Sequence, residues 1–223
     1  MILTIPDFLT ESEVQSLRDI AAEGKFIDGS TTGGRAGHAI KRNEQLQFTP
    51  DHLAVINKLI QAAIQRSAAL QVFAWPRRVN TPLISRYGPG MEYGGHIDNP
   101  ILFSRDGEPL RSDVSMTVFL SDPEDYDGGE LDLDSPFGPQ IVKLPAGHAF
   151  AYPTTMYHRV TPVTRGTRLA AVTWIQSLVK EPERRQILFD LAQARQAIQN
   201  NRPGAGKHLH QAFSNLLKLW SEV

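Results

Sequence analysis

Two short stretches of this sequence hold side chains whose types and spacing could bind a metal. In Gly94-Gly95-His96-Ile97-Asp98 an imidazole and a carboxylate stand at i and i+2, and an extended backbone would turn both to one face. A histidine from a distant strand would complete a set of two nitrogens and one oxygen. That set leaves about three of six octahedral positions open and suits a ferrous ion that must bind other reactants. His158, in Tyr157-His158-Arg159-Val160, is the better third ligand. Its rival His148 follows the turn-forming Pro145-Ala146-Gly147 and stands at a strand entry, where a structural or supporting role fits better. The chain has no cysteine, so disulfides, iron–sulfur ligation and thiolate catalysis are excluded. Any metal must be held by nitrogen and oxygen.

A cation has a role beside such an ion if the co-substrate is 2-oxoglutarate. One end of that molecule would chelate the metal through its C1 carboxylate and keto oxygen. The C5 carboxylate would then lie deeper in the protein, where a guanidinium that stays ionised can bond it in bidentate fashion. Arg168 is placed for this, because a reversal at the turn-like Thr164-Arg165-Gly166 would return it toward the ion on a neighbouring strand. Arg165 sits in the turn itself, and Arg159, adjacent to His158, points to the opposite face. A zinc hydrolase on the same donors would activate water and have no use for Arg168. A non-catalytic sensor of iron and 2-oxoglutarate would bind both and signal through the helical tail.

The elements that must position these groups fall into three stretches. From Pro6 to Ala69 the pattern is helical at both ends. Thr10-Glu11-Ser12-Glu13 reads as a capping box, and Val14, Leu17, Ile20 and Ala21 share one face, which predicts a helix over about 11–23. Leu53, Ile56, Ile60, Ala63 and Ile64 predict a second, longer helix after Thr49-Pro50-Asp51. The glycine-rich run Gly29–His38 between them fits a lid or a plain surface loop, since both have the same composition. From Val79 to Ser177 short alternating runs broken by Gly, Pro and Asp predict an antiparallel sandwich of about eight strands. They include Val114–Leu120, Glu130–Asp134, Thr81–Tyr87, Gln140–Leu144, His148–Tyr152, Tyr157–Val163 and Thr167–Gln176. After Lys180 helical spacing returns. Ile187, Leu188, Leu191, Ala194 and Ile198 form one stripe and Leu209, Ala212, Phe213, Leu216, Leu217 and Trp220 another, a hairpin that docks on the barrel or on another subunit.

The expected fold is therefore mainly β with flanking helices, an α+β chain. A double-stranded β-helix (jelly-roll) core over about 79–177 carries N-terminal helices, with a domain at 1–178 and a helical extension at 179–223. The 223 residues are enough for a sizeable core. The 23 Lys and Arg against 24 Asp and Glu give a net charge of −1, which lacks the basic footprint of a nucleic-acid or anionic-membrane binder. No apolar run approaches the roughly 18 residues of a membrane span, and Met1–Asp7 lacks the form of a signal peptide, so a cytoplasmic location is expected.

Taken together, Tyr87-x-x-Gly90-x-x-Tyr93-x-x-His96-x-Asp98, Gly128-Gly129-Glu130-Leu131, Pro145-Ala146-Gly147, His158-x-Val160-x-Pro162-Val163 and Arg168 resemble the Fe(II)/2-oxoglutarate dioxygenases of the prolyl 4-hydroxylase type. The closer likeness is to the bacterial PKHD-type hydroxylases, and it extends from Ile5-Pro6-Asp7-Phe8-Leu9 through the helical tail. This resemblance implies iron ligands His96, Asp98 and His158, with Arg168 on 2-oxoglutarate and Tyr87 lining the co-substrate pocket. It also implies O2 as co-substrate, ascorbate to keep the iron reduced, and a link to iron uptake. For Tyr87 and Tyr93 plain packing on the barrel wall is an equal alternative; Gly128 and Gly129 shape a turn. The hydroxylated substrate, a protein residue or a small molecule, depends on loops such as Gly29–His38 and Asn99–Asp113, which vary independently of a core.

Overall fold

The computed structural model describes residues 1–32, 39–104, 106–135, 138–201 and 206–223. Helix α1 (Glu11–Glu23) begins at the expected capping box: Thr10 Oγ1 accepts from the Glu13 amide, and the Glu13 carboxylate accepts from the Thr10 amide at 2.8 Å. Val14, Leu17 and Ala21 form its buried face. Helix α2 (Pro50–Arg66) starts from Thr49 with proline in its first turn, and buries Ile56, Ile60, Ala63 and Ile64. The short α3 (Ala68–Ala74) was not anticipated. It is capped by Ser67 and stopped by Trp75 in the left-handed region, at φ 45°.

Strand β1 (Leu3–Ile5) precedes the stretch read as helices around an irregular middle, and β2 (Phe26–Asp28), β3 (Lys41–Arg42) and β4 (Glu44–Leu46) come from within it. Next come β5 (Pro76–Val79), β6 (Leu83–Tyr87), β7 (Glu92–His96), β8 (Ile101–Phe103), β9 (Pro109–Arg111) and β10 (Val114–Phe119). The remainder are β11 (Tyr126–Gly128), β12 (Leu131–Leu133), β13 (Gln140–Val142), β14 (Ala149–Pro153), β15 (His158–Val160), β16 (Val163–Gly166) and β17 (Arg168–Ser177). They pair antiparallel into a larger sheet, β1-β14-β10-β17-β6-β4-β2 with β5 beside β17, a smaller one, β13-β12-β15-β7-β3, and the two-stranded pairs β8-β9 and β11-β16. This is the jelly roll.

Alternation along the larger sheet separates two cores. Val114, Met116 and Val118 of β10, with Ile84, Ala149, Ala151, Ala171 and Ile175, pack with the buried faces of α1, α2 and α3. Neighbouring residues such as Phe119, Phe150 and Tyr152 point the other way, onto Leu131 and Leu133 of the smaller sheet. The functional cavity lies between the sheets.

Several expectations are corrected here. Thr164-Arg165-Gly166 is not a turn but most of β16, with Arg165 opposite Asp127 of β11; the chain reverses at Gly166 and Thr167. The run Tyr157–Val163 is two strands, broken at Thr161 and Pro162. The Asn99–Asp113 loop is largely the β8–β9 hairpin. Of Gly29–His38, residues Gly29–Thr32 form a 3-10 turn and the rest lies outside the described residues. Helices α4 (Pro182–Asn201) and α5 (Lys207–Trp220) form the expected hairpin, its ends tied by Glu222 N–H to Leu178 O at 2.8 Å. Leu188, Ala192 and Phe213 pack with Val72 and Trp75 around α3, so the chain itself covers the tail's apolar stripe. Ile187, Ala194 and Ala212, placed in the stripes from the sequence, are exposed.

Candidate active site

Strands β7 and β15 pair with His96 opposite His158, which sets the two imidazoles side by side at 4.3 Å between ring centres. Asp98, just past the end of β7, returns to the same spot: its Oδ1 lies 3.7 Å from His96 Nε2 and 3.8 Å from His158 Nε2. One ligating atom from each of the three lies within 4.8 Å of the others. Each donor is held from behind. His96 Nδ1 bonds Gly94 O at 2.9 Å and His158 Nδ1 bonds Met156 O at 3.0 Å. A carbonyl only accepts, so both Nδ1 atoms carry the proton and both Nε2 lone pairs face the gap. Ser115 Oγ, from β10 of the opposite sheet, donates to Asp98 Oδ2 and leaves Oδ1 toward the imidazoles. Burial, and after it the neighbouring His158, pushes His96 down to about 4, so its ring is neutral, as a ligand must be. Three convergent lone-pair donors with no proton between them fit a divalent ion.

Arg168, at the start of β17, is 2% exposed and stands opposite Tyr87 of β6. Its guanidinium carbon is 5.2 Å from the Tyr87 ring centre and 5.6 Å from that of Phe119. It pairs with no carboxylate among the described residues, and those outside them contain no Asp or Glu. Among the described residues Arg168 Nε meets no hydrogen-bond acceptor, and the buried Tyr126 hydroxyl has no hydrogen-bond partner. Burial raises the Tyr126 phenol above its ordinary range while the nearby Arg168 guanidinium pulls the other way. A buried cation without a counter-ion is costly, and one flanked by an idle hydroxyl is prepared for an anion.

A cavity of about 280 Å³ is lined by His96, Asp98, His158, Arg168 and Tyr87 together. The sequence reading missed Tyr126, whose only local sign was the Gly128-Gly129 pair after it. Both glycines have positive φ, and a Cβ on Gly129 would stand 3.2 Å from Arg168 Cδ and 2.9 Å from Val163 Cγ2. The expected turn is instead the end of β11 at Gly128, opposite Val163, followed by Gly129 outside any strand, and the missing side chain at Gly129 lets the chain pass against Arg168. Tyr93 does more than pack on the wall: its ring stacks on His96 at 3.7 Å. Lys41, which no motif flagged, lines the same cavity. The residues set aside lie elsewhere. Arg159 pairs with Asp132 and Arg165 with Asp127 at the surface, and His148 is outside the ligand cluster.

Residues 82–176 match the model of the 2OG-Fe(II) oxygenase superfamily. A PKHD-type hydroxylase of Synechococcus sp. (strain JA-2-3B'a(2-13)) is 42% identical and one of Paraburkholderia phymatum 41% identical, each alignment covering 100% of both chains. In structure the chain resembles a prolyl-4-hydroxylase of Pseudomonas putida with a TM-score of 0.54 at 22% identity, over 79% of this chain and 92% of that one.

Proposed function

The chain belongs to the PKHD-type hydroxylases of the 2OG-Fe(II) oxygenase superfamily, and from that premise we propose that His96, Asp98 and His158 hold the ferrous ion while Arg168 holds 2-oxoglutarate. It is an Fe(II)- and 2-oxoglutarate-dependent hydroxylase. The observation that carries the residue assignments is the buried, unpaired Arg168 guanidinium in the same cavity as the two imidazoles and the carboxylate. A hydrolase that activates water on zinc would leave that cation without an anion.

When bound, the iron supplies the redox chemistry that couples decarboxylation of 2-oxoglutarate by O2, giving succinate and carbon dioxide, to transfer of one oxygen atom into a substrate C–H bond. The protein supplies placement. Arg168 takes the distal carboxylate in a charge-assisted pair, with Tyr126 as a second donor. Tyr87 walls the co-substrate beside Arg168. The Gly94 and Met156 carbonyls and the Ser115 hydroxyl fix the three ligand side chains, so little reorganisation is needed when a metal enters. Leu131, Val160 and Val172 give the cavity apolar walls that limit water.

On the family resemblance we assign ascorbate as the reductant that keeps the iron ferrous. We divide the chain into a dioxygenase domain at 1–178 and a helical extension at 179–223. We place it in the cytoplasm; no helix among the described residues is long and apolar enough to cross a membrane. The test is anaerobic loading with Fe(II) and 2-oxoglutarate followed by admission of oxygen. Succinate should form in wild type and rise when a protein or small-molecule substrate is supplied. Unchanged succinate formation in R168M would overturn the co-substrate assignment.

A further inference from the structure

A second buried cation shares the cavity. Lys41, on the two-residue strand β3, is 7% exposed. Its ammonium has three N–H donors, of which one goes to Thr32 Oγ1 at 2.7 Å. The single Thr32 hydroxyl proton is shared between Gln45 Oε1 at 2.8 Å and Gly29 O at 3.0 Å, which leaves an oxygen lone pair for the lysine. On its other side Lys41 Nζ lies 5.2 Å from the ring centre of Tyr93, which stacks on His96. Like Arg168, Lys41 pairs with no carboxylate among the described residues, and the others offer none. Asp98 and Asp28 act on it only from beyond ion-pair distance.

We propose that Lys41 is the specificity-determining residue that receives a carboxylate of the primary substrate. This rests on the functional reading above and extends it. Under that reading one carboxylate of 2-oxoglutarate is directed to the metal and the other to Arg168, so neither is left for Lys41. Charge supports the same conclusion. Among the groups that line the cavity, with Asp28 outside it, a ferrous ion, Arg168 and Lys41 set against Asp98 and a dianionic co-substrate leave one positive charge uncompensated. One substrate carboxylate neutralises it. The carboxylate can come from a free amino acid, an acidic side chain or a chain terminus, and the ammonium recognises what they share. The group remains mainly charged at neutral pH, for burial lowers Lys41 only to about 8.

The test uses protein loaded with Ni(II), which does not turn over, and 2-oxoglutarate. Matched small probes are titrated by calorimetry: acetate against acetamide, N-acetylglycine against its amide, benzoate against benzamide. In wild type at least one carboxylate should bind saturably and at least about tenfold tighter than its amide, as a hydrogen bond to a charged group implies. K41M should erase that preference and keep 2-oxoglutarate affinity within about threefold, a bound well below the hundredfold range of a lost buried charge pair. K41Q is the second variant should K41M fail to fold, with thermal melting as the check. Equal binding of carboxylates and amides, or no carboxylate that distinguishes wild type from K41M, overturns the proposal. So does a loss of 2-oxoglutarate affinity in K41M comparable to that in R168M, which would give Lys41 to the co-substrate and leave the functional reading intact. A normal 2-oxoglutarate affinity in R168M would instead remove the co-substrate assignment.

Discussion

Replacing Lys41 by methionine should make the protein more stable at neutral pH, by an amount that shrinks as the pH rises. Burial, opposed in part by Asp98 and Asp28, brings the Lys41 ammonium from its ordinary 10.5 to about 8. At about 1.4 kcal/mol for each pH unit between folded and unfolded values, the charged side chain burdens the native state by about 3 kcal/mol at pH 7. Because the folded value lies below the unfolded one, the unfolded chain holds the extra proton between them. The burden is therefore complete below about pH 8 and lifts toward 10.5, leaving under about 1 kcal/mol at pH 10. Among the described residues the groups that act on Lys41 are Thr32, Tyr93 and, at longer range, Asp28, Asp98 and His96; burial pushes Tyr93 up to about 12 and His96 down to about 4, so both stay neutral from pH 7 to 10. Loss of the Thr32 bond and the Tyr93 contact offsets about 1–2 kcal/mol. K41M should thus gain on the order of 1–2 kcal/mol at pH 7 and be less stable than wild type by up to about 1 kcal/mol at pH 10. Urea unfolding of both proteins in chelator, from pH 7 to 10, measures this. A difference that does not change with pH, or a less stable K41M at pH 7, would refute the reasoning.

Other substitutions test the remaining parts of the site. R168M should weaken 2-oxoglutarate binding by about a hundredfold or more, the scale of losing one partner of a buried charge pair, while metal content measured on the purified protein stays at the wild-type level. S115A removes the donor to Asp98 Oδ2, so competition against a chelator should show metal affinity reduced by about 10- to 100-fold. G166A should destabilise by more than about 2 kcal/mol in denaturant titration. Gly166 has φ +72° and a Cβ there would stand 1.9 Å from Asp125 O, so the reversal that delivers Arg168 would have to open.

What could be read from the sequence was whatever leaves a period or a local signature. The capping box at Thr10, the alternation of β10 and the i, i+2 pair at His96 and Asp98 are of this kind. Strands β2, β3 and β4 were invisible because two or three residues carry no period; the sheets they join define them. Thr164-Arg165-Gly166 has turn composition, yet Arg165 is at a sheet edge where pairing with β11 decides. The phase of the α4 stripe slipped because Arg185 counts as polar but is 4% exposed, bonding Val179 O at 2.8 Å and Lys180 O at 2.7 Å. Lys41 lines the cavity and Tyr126 stands beside Arg168 only because distant strands close there, and no spacing along the chain encodes that.

The two unpaired cations in the cavity differ in a way that suits different visitors. A guanidinium cannot shed its charge at any pH the protein meets, so Arg168, walled by Tyr87 and Phe119, carries its full burden whenever no anion is present. That favours a permanent attraction for one planar, bidentate partner, which is what the distal carboxylate of a co-substrate offers in every cycle. An ammonium lowered to about 8 sits near the point where it can lose its proton, so Lys41 tolerates an empty pocket at less expense than Arg168 does. Its charge is also rotatable about Thr32 and Tyr93 and not fixed in a plane, which fits carboxylates arriving on differently shaped substrates. On the proposed reading both residues reduce stability until their ligands bind. Neither would persist in a cavity whose only task was to be filled, because an apolar side chain of similar volume would hold the two sheets together at lower free energy.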